Sequence, residues 1–237
     1  MNSPNAIAET EDFEFAALSE AVNYRKAIIA EFRDILRGDV LEIGAGIGQI
    51  TEAILSLSNV GNLVGIEPDK GFQVGFRERL PHIKLIDGTT ADLEAGCSFN
   101  SAIMVNVLEH IEHDEAELKT IHGILKPRDG HICILVPARQ EIFSKLDYHF
   151  GHYRRYDKPM LKSKLERAGF HIEKLHYFNF VGYFAWALKY KILRGMDFDV
   201  NQVRLFDSKI FPKANHIETT VCRPPFGQSL IAIARAL

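Results

Sequence analysis

Apolar residues recur along the chain with two different spacings. Residues 13–36 carry apolar side chains at near-helical spacing, and Gly38 follows as a stop signal, which predicts one or two leading helices. Short apolar runs then alternate with helical stretches. The runs VLEIG, NLVGIE and IKLID predict strands, and residues 50–57 and 71–80 predict the helices between them. The first part of the chain is therefore expected to repeat a strand-helix unit.

The same alternation continues to the end of the chain. FNSAIMVNV and HICILVPA predict two strands around a helix at residues 114–125, and a helix at residues 158–168 precedes the strand patterns HIEKLHYFNF and SLIAIARAL. This order indicates an α/β protein with a mostly parallel sheet and helices on both faces. The predicted organisation is a single domain, 1–237, with a helical cap (1–37), a core (38–180), an insertion (181–227) and a last strand (228–237).

Composition narrows the class of protein. The 237 residues are 46% hydrophobic and 25% charged, the balance of an ordinary soluble globular protein. The 28 Lys and Arg residues against 31 Asp and Glu residues leave a net charge of −3, which disfavours a nucleic-acid partner because such binding needs a basic field. Cys97, Cys133 and Cys222 lack the spacing of a zinc site or a disulfide framework, so no metal is expected.

Neither a targeting signal nor a membrane span is expected. The amino terminus is acidic and lacks the basic flank and apolar core of a signal peptide, which predicts residence in the cytoplasm. The longest apolar stretch, at about residues 183–193, is interrupted by Lys189 and Lys191 and is too short to cross a bilayer.

The most informative segment is the glycine-rich run VLEIGAGIGQI at residues 40–50, where a strand leads into a turn and then a helix. Gly44 and Gly46 leave no side chain between the turn and a ligand, and Gly48 permits close packing or an unusual backbone angle. Nineteen residues past Gly48, at the end of the second predicted strand, Glu67 can accept hydrogen bonds from both hydroxyls of a ribose. These features predict a site for an adenosine-containing cofactor.

The spacing of the glycines separates two families of cofactor. Dinucleotide enzymes place a glycine at the first, third and sixth positions, whereas the sixth position counted from Gly44 is Gln49. Glu42, inside the strand, is unfavourable beside a pyrophosphate but suits a ligand that carries an ammonium and a sulfonium. On these residues, together with the later strand FNSAIMVNVLEHIEH, the chain resembles the class I S-adenosylmethionine-dependent methyltransferases.

The resemblance implies a Rossmann-like, doubly wound, seven-stranded sheet, mostly parallel with an antiparallel last strand. It also implies a set of cofactor contacts. Thr89 stands where the family commonly has an acidic residue for the adenine amino group, which makes Asp87 and Asp92 the alternatives. The residues expected to bind S-adenosylmethionine are Tyr24, Glu42, Gly44, Ala45, Gly46, Gly48, Glu67, Pro68, Thr89, Thr90, Asn106, Val107 and Leu108.

The run DYHFGHYRRY at residues 147–156 follows the fifth predicted strand and is expected at the same rim. It resembles a GHYRRY motif in a bacterial subgroup of small-molecule methyltransferases, a likeness that extends from Asn23 and Tyr24 to the PFGQSL run. The resemblance and the chemistry of these side chains suggest Tyr153, Arg154, Arg155 and Tyr156 as substrate-binding residues. His152, then His149 and His110, are the candidate bases, because imidazole accepts a proton near neutral pH. The competing interpretation is that Tyr156 and Phe150 are packing residues and that one arginine pairs with a surface carboxylate.

These observations favour an enzyme that methylates an oxygen or nitrogen of a small, anionic metabolite. One alternative is a non-catalytic module that binds the cofactor and serves as a partner subunit. A methyltransferase acting on RNA or protein ranks last, because the chain lacks a basic patch and has Asn106-Val107-Leu108-Glu109 where an Asn-Pro-Pro-Tyr-like tetrapeptide would stand. The insertion is open to two interpretations, packing within the core or in a homodimer, and closure over the substrate as a lid.

Overall fold

The computed structural model describes residues 19–193 and 199–237. In these residues the chain forms one seven-stranded sheet in the order β3-β2-β1-β4-β5-β7-β6. All neighbouring strands are parallel except at β7, which runs antiparallel to β5 and to β6. The strands are β1 (Gly38–Ile43), β2 (Val60–Glu67), β3 (Lys84–Asp87), β4 (Ser101–Val105), β5 (His131–Pro137), β6 (Phe170–Phe178) and β7 (Ser229–Ala236). The predicted fold class is confirmed.

Nine α-helices are present in the same described ranges. They are α1 (Val22–Phe32), α2 (Gln49–Ile54), α3 (Lys70–Arg79), α4 (Asp114–Leu125), α5 (Lys145–His149), α6 (Lys158–Arg167), α7 (Phe180–Trp186), α8 (Val200–Leu205) and α9 (Phe211–Thr220). Helix α7 continues as a π-helical segment, Ala187–Ile192, and a second π-helical segment, Phe206–Ile210, joins α8 to α9. No helix among the described residues has the length and apolar character needed to span a membrane.

The predicted helices are confirmed with small changes at their ends. The leading helix is present as α1, while residues 13–18 of that prediction lie outside the described residues. Helix α2 ends at Ile54, earlier than predicted, and the Ser56 hydroxyl donates to the Ala53 carbonyl there, as serine does when it competes with the backbone. Strand β6 ends before the predicted Phe180 because Asn179, at φ 60°, turns the chain and caps α7 by accepting from the Gly182 amide.

Apolar residues on the two faces of the sheet form two separate cores. Leu41 and Ile43 of β1 pack with α4 and α6 on one face, and Val40 packs with α1 and α2 on the other. This division follows from strand geometry, because successive side chains point to opposite faces. Strand β1 lies between β2 and β4. The strand order therefore reverses at β1: β2 and β3 lie on one side of it, and β4 and β5 lie on the other. In α/β sheets a crevice for ligands forms at such a switch point.

Candidate active site

A cavity of about 560 Å³ opens at the carboxyl ends of the central strands. Its floor comes from the loops that follow β1, β2 and β4, one side from the loop after β5, and its cover from α1 and the insertion. Of the sequence-predicted site residues, the cavity wall contains Tyr24, Glu42, Gly44, Ala45, Glu67, Pro68, Asn106, Val107, His110, His152 and Arg155.

The glycine loop adopts a backbone that side chains would disturb. Gly44 has a φ of +72°, and a Cβ added there would lie 2.4 Å from Cγ2 of Val107. Gly48 has a φ of +86° and packs so closely on α3 that a Cβ would lie 2.8 Å from Cδ1 of Leu80. Gly48 is therefore behind the cavity wall, where it serves close packing, and Gly44 forms the wall itself.

Glu67 is buried at the end of β2 with its carboxylate held in place by the backbone. Its Oε2 accepts from the Gly46 amide at 2.8 Å, and its Oε1 accepts from the Asp69 amide at 2.9 Å. Each carboxylate oxygen can accept more than one hydrogen bond, so both can still accept from a pair of vicinal hydroxyls. Gly46 does not line the cavity. Its amide donates a hydrogen bond to Glu67 and so holds the carboxylate in place.

Glu42 is a second buried carboxyl group on the cavity wall. Desolvation by burial raises its pKa to about 8, although the Thr51 hydroxyl donates a hydrogen bond to its Oε2. Glu67 adds a repulsive negative charge that raises the pKa further. A cation bound in the cavity would favour the charged form of Glu42, because opposite charges attract strongly where water is excluded.

Helix α1 is tied over the cavity by the insertion. The backbone amides of Asn23 and Tyr24 donate to Asp207 in the second π-helical segment, at 2.9 and 2.8 Å. The Tyr24 hydroxyl lies 3.0 Å from Oγ of Ser229, and its ring packs 5.5 Å from that of Phe178. Asp207 and Ser229 also line the cavity, and sequence reasoning missed both because their partners lie about two hundred positions away.

Five of the predicted cofactor residues do not line the cavity: Gly46 and Gly48, described above, and Thr89, Thr90 and Leu108. Leu108 is fully buried in the core, and Thr90 donates its hydroxyl to Glu117 of α4. Thr89 forms a capping box with Asp92, so the Asp92 alternative is also engaged in local structure. Asp87, the other alternative, pairs with Arg77 at the end of β3. These short-range contacts satisfy the polar groups within the loop after β3.

Two histidines from different segments meet at the cavity wall. The ring centroids of His110 and His152 lie 4.6 Å apart with an edge-to-face angle of 86°. His152 is buried, and its Nδ1 lies 3.3 Å from Oδ1 of Asp147. Desolvation and the neighbouring His152 lower the pKa of His110 to about 3, so His110 is neutral at pH 7. His149 is exposed on α5, outside the cavity wall, which argues against it as a base.

Asp147 orients His152 and also pairs with Arg155. Burial alone would raise the pKa of Asp147, but the hydrogen bond from His152 and the charge of Arg155 together lower it. Arg155 is 1% exposed, donates from Nε to Oδ1 of Asp147 at 2.7 Å and donates from Nη1 to the Ala138 carbonyl at 3.2 Å. Arg155 lines the cavity, but its charge is compensated from inside the protein.

The other residues of the GHYRRY run face elsewhere. Arg154 donates to the carbonyls of Ile111 and Glu112 and pairs with Asp114 at 2.9 Å. The buried Tyr156 hydroxyl donates to Asp114 at 2.8 Å, and burial raises the pKa of this phenol above its usual value. Tyr153 is half exposed outside the cavity wall. The packing interpretation therefore describes Arg154 and Tyr156 better than a direct substrate contact does.

Glu109, His110 and His152 form a group that could hold a metal ion. Each offers a ligand atom, and these atoms lie within 4.8 Å of one another on the cavity wall. One carboxylate and two imidazoles are a ligand set for zinc and related divalent metals. The hydrogen bond between Asp147 and Nδ1 of His152 is also the contact that commonly orients a metal-binding histidine. The sequence predicted no metal because His152 lies more than forty positions from the adjacent Glu109 and His110.

The insertion contributes residues to the cavity wall and packs against the end of helix α5. Phe150 from α5's end packs with Leu146, Tyr190 and Trp186 in a small separate core. Trp186, Lys189 and Tyr190 all line the cavity. The only sequence signal for them was the spacing of aromatic and basic residues in YFAWALKYK.

The fold and the cavity define an α/β protein that binds a ligand at the topological switch point of its sheet. The model of the methyltransferase-domain family matches residues 14–175, more than half of the chain, so the chain belongs to this family of methyltransferases. An uncharacterized methyltransferase of Bacillus mycoides is 25% identical over 195 residues, which cover 72% of this chain and 88% of the relative.

Solved structures share the fold at low sequence identity. An S-adenosylmethionine-dependent methyltransferase of Mesorhizobium loti matches with a TM-score of 0.59 at 15% identity, over 88% of this chain and 97% of its own. A complex of DhpI with SAH matches with a TM-score of 0.61 at 13% identity, over 98% of this chain and 93% of its own. The chain is thus a methyltransferase with the sheet and topology of that structural class.

Proposed function

We propose that this methyltransferase transfers the methyl group of S-adenosylmethionine to an oxygen or nitrogen of a small, anionic metabolite. The observation that carries the proposal is that one cavity contains both the Glu67 carboxylate beside the glycine loop and the His152 imidazole held by Asp147. The Glu67 carboxylate beside the glycine loop suits a nucleoside. The His152 imidazole held by Asp147 suits a methyl acceptor that must lose a proton. Membership in the bacterial small-molecule subgroup with the GHYRRY motif is part of the same proposal.

The residues on the floor of the cavity fit S-adenosylmethionine. Glu67 would accept hydrogen bonds from the ribose hydroxyls, and Phe72 and Pro68 would offer apolar surface to the adenine. Glu42 supplies negative charge for the cationic half of the cofactor. The absence of a side chain at Gly44 gives that half room beside Val107, where a Cβ would not fit.

Once bound, S-adenosylmethionine supplies an electrophilic methyl group on a good leaving group. The protein therefore has to align the acceptor for in-line attack and exclude water. His152 accepts the proton of a hydroxyl or ammonium acceptor at Nε2, because Nδ1 is engaged with Asp147. Helix α1 and the insertion, joined through Asp207, cover the cavity during the reaction.

A second mechanism uses the same residues. Glu109, His110 and His152 would hold a divalent metal that binds the acceptor oxygen and lowers its pKa. In that case His152 would be a ligand and no separate base would be required. Removal of metal distinguishes the two mechanisms, as described in the Discussion.

The cavity volume and the charge of the chain support a small acceptor over a macromolecule. About 560 Å³ holds a cofactor and a metabolite, and the net charge of −3 offers no basic field for RNA. A single domain with residues 181–227 as a lid or a dimerisation region, association as a homodimer and residence in the cytoplasm remain predictions from the sequence.

The direct test is an assay with a metabolite extract and S-adenosylmethionine carrying an isotopically labelled methyl group. We expect one small anionic compound to gain the labelled methyl group. Cofactor binding measured by calorimetry, without transfer to any compound, would instead favour the non-catalytic module.

A further inference from the structure

Two residues of the insertion with polar side-chain groups line the cavity, and they belong to one helical stretch. Trp186 is the last residue of α7, and Lys189 lies three positions later in the π-helical segment Ala187–Ile192. Both residues line the cavity. Neither has a part in the mechanism described above.

The indole N–H of Trp186 is buried without a hydrogen-bond partner among the described residues. Its ring is held firmly, because the Arg155 guanidinium lies 4.6 Å from the ring centroid and the Tyr190 ring lies 4.6 Å away at 53°. A buried donor without an acceptor costs free energy. A ligand oxygen that accepts a hydrogen bond from this N–H would remove that cost.

Lys189 brings a positive charge to the wall of the same cavity. It is partly buried, donates from Nζ to the Gln202 amide oxygen at 2.9 Å and stands 5.4 Å from the Tyr190 ring centroid. These partners orient the ammonium group without neutralising it. Within residues 19–193 and 199–237, no carboxylate forms an ion pair with Lys189.

The two carboxylates that the insertion brings to the cavity are engaged with backbone amides. Asp199 accepts from the Asn201 amide at 2.9 Å as the cap of α8. Asp207 accepts from the amides of Asn23 and Tyr24. The arginines of the GHYRRY run are compensated by Asp147 and Asp114. Among the described residues neither of these carboxylates pairs with Lys189, so an anionic ligand can complement its charge.

A continuous wall connects this pair of donors to the base. His152 lies 5.9 Å from the Phe150 ring, and Phe150 packs in the same small core as Tyr190 and Trp186. The wall is thus polar at His152, aromatic in its middle part and cationic at Lys189. An acceptor that fits this sequence of surfaces has a nucleophile, an apolar body and an anionic group.

We propose that Trp186 and Lys189 form the carboxylate-binding subsite for the methyl acceptor, which is an acid with an apolar or aromatic body. The acid group accepts from the indole N–H and pairs with the ammonium group, and the body lies against Phe150 and Tyr190. The nucleophile then faces His152. This inference rests on the proposed function, because it names the class of acceptor for the same site, and it assigns the anion contact to the insertion instead of the two arginines.

The test measures binding of defined acids to the protein saturated with S-adenosylhomocysteine. The probes are 4-hydroxybenzoate, phenylacetate and indole-3-acetate, each compared with its neutral amide by calorimetry. Trp186→Phe retains the ring and removes the N–H donor, and Lys189→Gln removes the charge. Lys209→Gln is the matched control, because Lys209 is an exposed lysine of the insertion outside the cavity wall.

We expect the acids to bind at least about tenfold more tightly than the amides, and each cavity variant to lose about tenfold, as for a charge-assisted hydrogen bond. The Lys209→Gln protein should bind as the unmodified protein does. All variants should retain their affinity for S-adenosylhomocysteine, which verifies that they are folded. Equal binding of acids and amides, no binding of any acid, or full affinity in Lys189→Gln would each overturn the proposal.

Failure of this inference and failure of the proposed function give different results. A protein that binds the acids through Trp186 and Lys189 but transfers no labelled methyl group retains the subsite and lacks the proposed activity. If the acceptor is neutral, and the unmodified protein and Lys189→Gln methylate it equally well, the protein has the proposed activity and lacks the subsite.

Discussion

His152 and Arg155 share one oxygen of a buried carboxylate, Oδ1 of Asp147, at 3.3 and 2.7 Å. The charge of Arg155 keeps Asp147 ionised, and the ionised carboxylate holds the His152 ring with Nδ1 as the donor. In the proposed mechanism the arginine of the GHYRRY run therefore acts on the reaction through a carboxylate and a histidine. Asp147 is in this sense a positioning residue.

Replacement of Asp147 should separate catalysis from cofactor binding. In Asp147→Asn we expect kcat to fall by roughly a hundredfold for an acceptor that must lose a proton, because the base is no longer held in one tautomer. The affinity for S-adenosylmethionine should be unchanged. Steady-state kinetics and calorimetry measure the two quantities.

The same substitution leaves Arg155 buried without its ion-pair partner, so the free energy of unfolding should fall by about 3–5 kcal/mol. His152→Gln is the companion variant, since it removes the base and leaves the pair of Asp147 and Arg155 intact. It should lose activity with little loss of stability in urea denaturation. An active His152→Gln enzyme would rule out His152 as the base.

Glu67 should determine cofactor affinity. Glu67→Gln keeps the size of the side chain and loses the charge, so binding of S-adenosylmethionine should weaken by ~1.5–3 kcal/mol, the contribution of a charge-assisted hydrogen bond. Glu78→Gln, at an exposed carboxylate of helix α3 outside the cavity wall, is the control and should bind normally. Unchanged calorimetric affinity in Glu67→Gln would show that the ribose lies elsewhere.

Binding of the cofactor should release a proton from Glu42. Burial raises the pKa of this carboxyl group to about 8 in the free protein, so it is mostly protonated at pH 7. A cationic ligand lowers that pKa, and the group then ionises. Calorimetry in buffers of different ionisation enthalpy should show a release approaching one proton per cofactor at pH 7, and Glu42→Gln should abolish it.

The sign of this linkage also predicts a pH dependence of stability. Because the folded-state pKa of Glu42 is raised, the stability that its protonated form contributes is complete below the unfolded value of 4.5 and is lost as the pH rises through about 8. Glu42→Gln should therefore flatten the decline in unfolding free energy between pH 5 and pH 8. Identical pH profiles for the two proteins would contradict the assignment.

Removal of metal decides between the two mechanisms at His152. If His152 is the base, dialysis against EDTA leaves methyl transfer unchanged, which is the result we expect. If Glu109, His110 and His152 bind a metal, activity is lost and returns on addition of zinc or manganese. Glu109→Gln should abolish that recovery.

The alternation of apolar runs was sufficient to predict the sheet and its helices, because burial of one face leaves a periodic trace in the sequence. Gly44, Glu67 and Asn106 could be placed at the carboxyl edge of the strands for the same reason, since each directly follows a strand or ends one. For Thr89 and Thr90 the sequence did not reveal the local capping and the contact with Glu117, which engage their hydroxyls.

The sequence by itself determined the class of fold and the edge of the sheet at which the cofactor residues lie. Only the tertiary structure decided that Arg155 lines the cavity while Arg154 turns to Asp114, and that Trp186 and Lys189 line the same cavity as His152. Periodicity reports which side chains leave water. It does not report which buried polar groups meet, because that depends on how distant segments pack together. Tyr24 of α1 and Asp207, for example, lie 183 positions apart in the sequence.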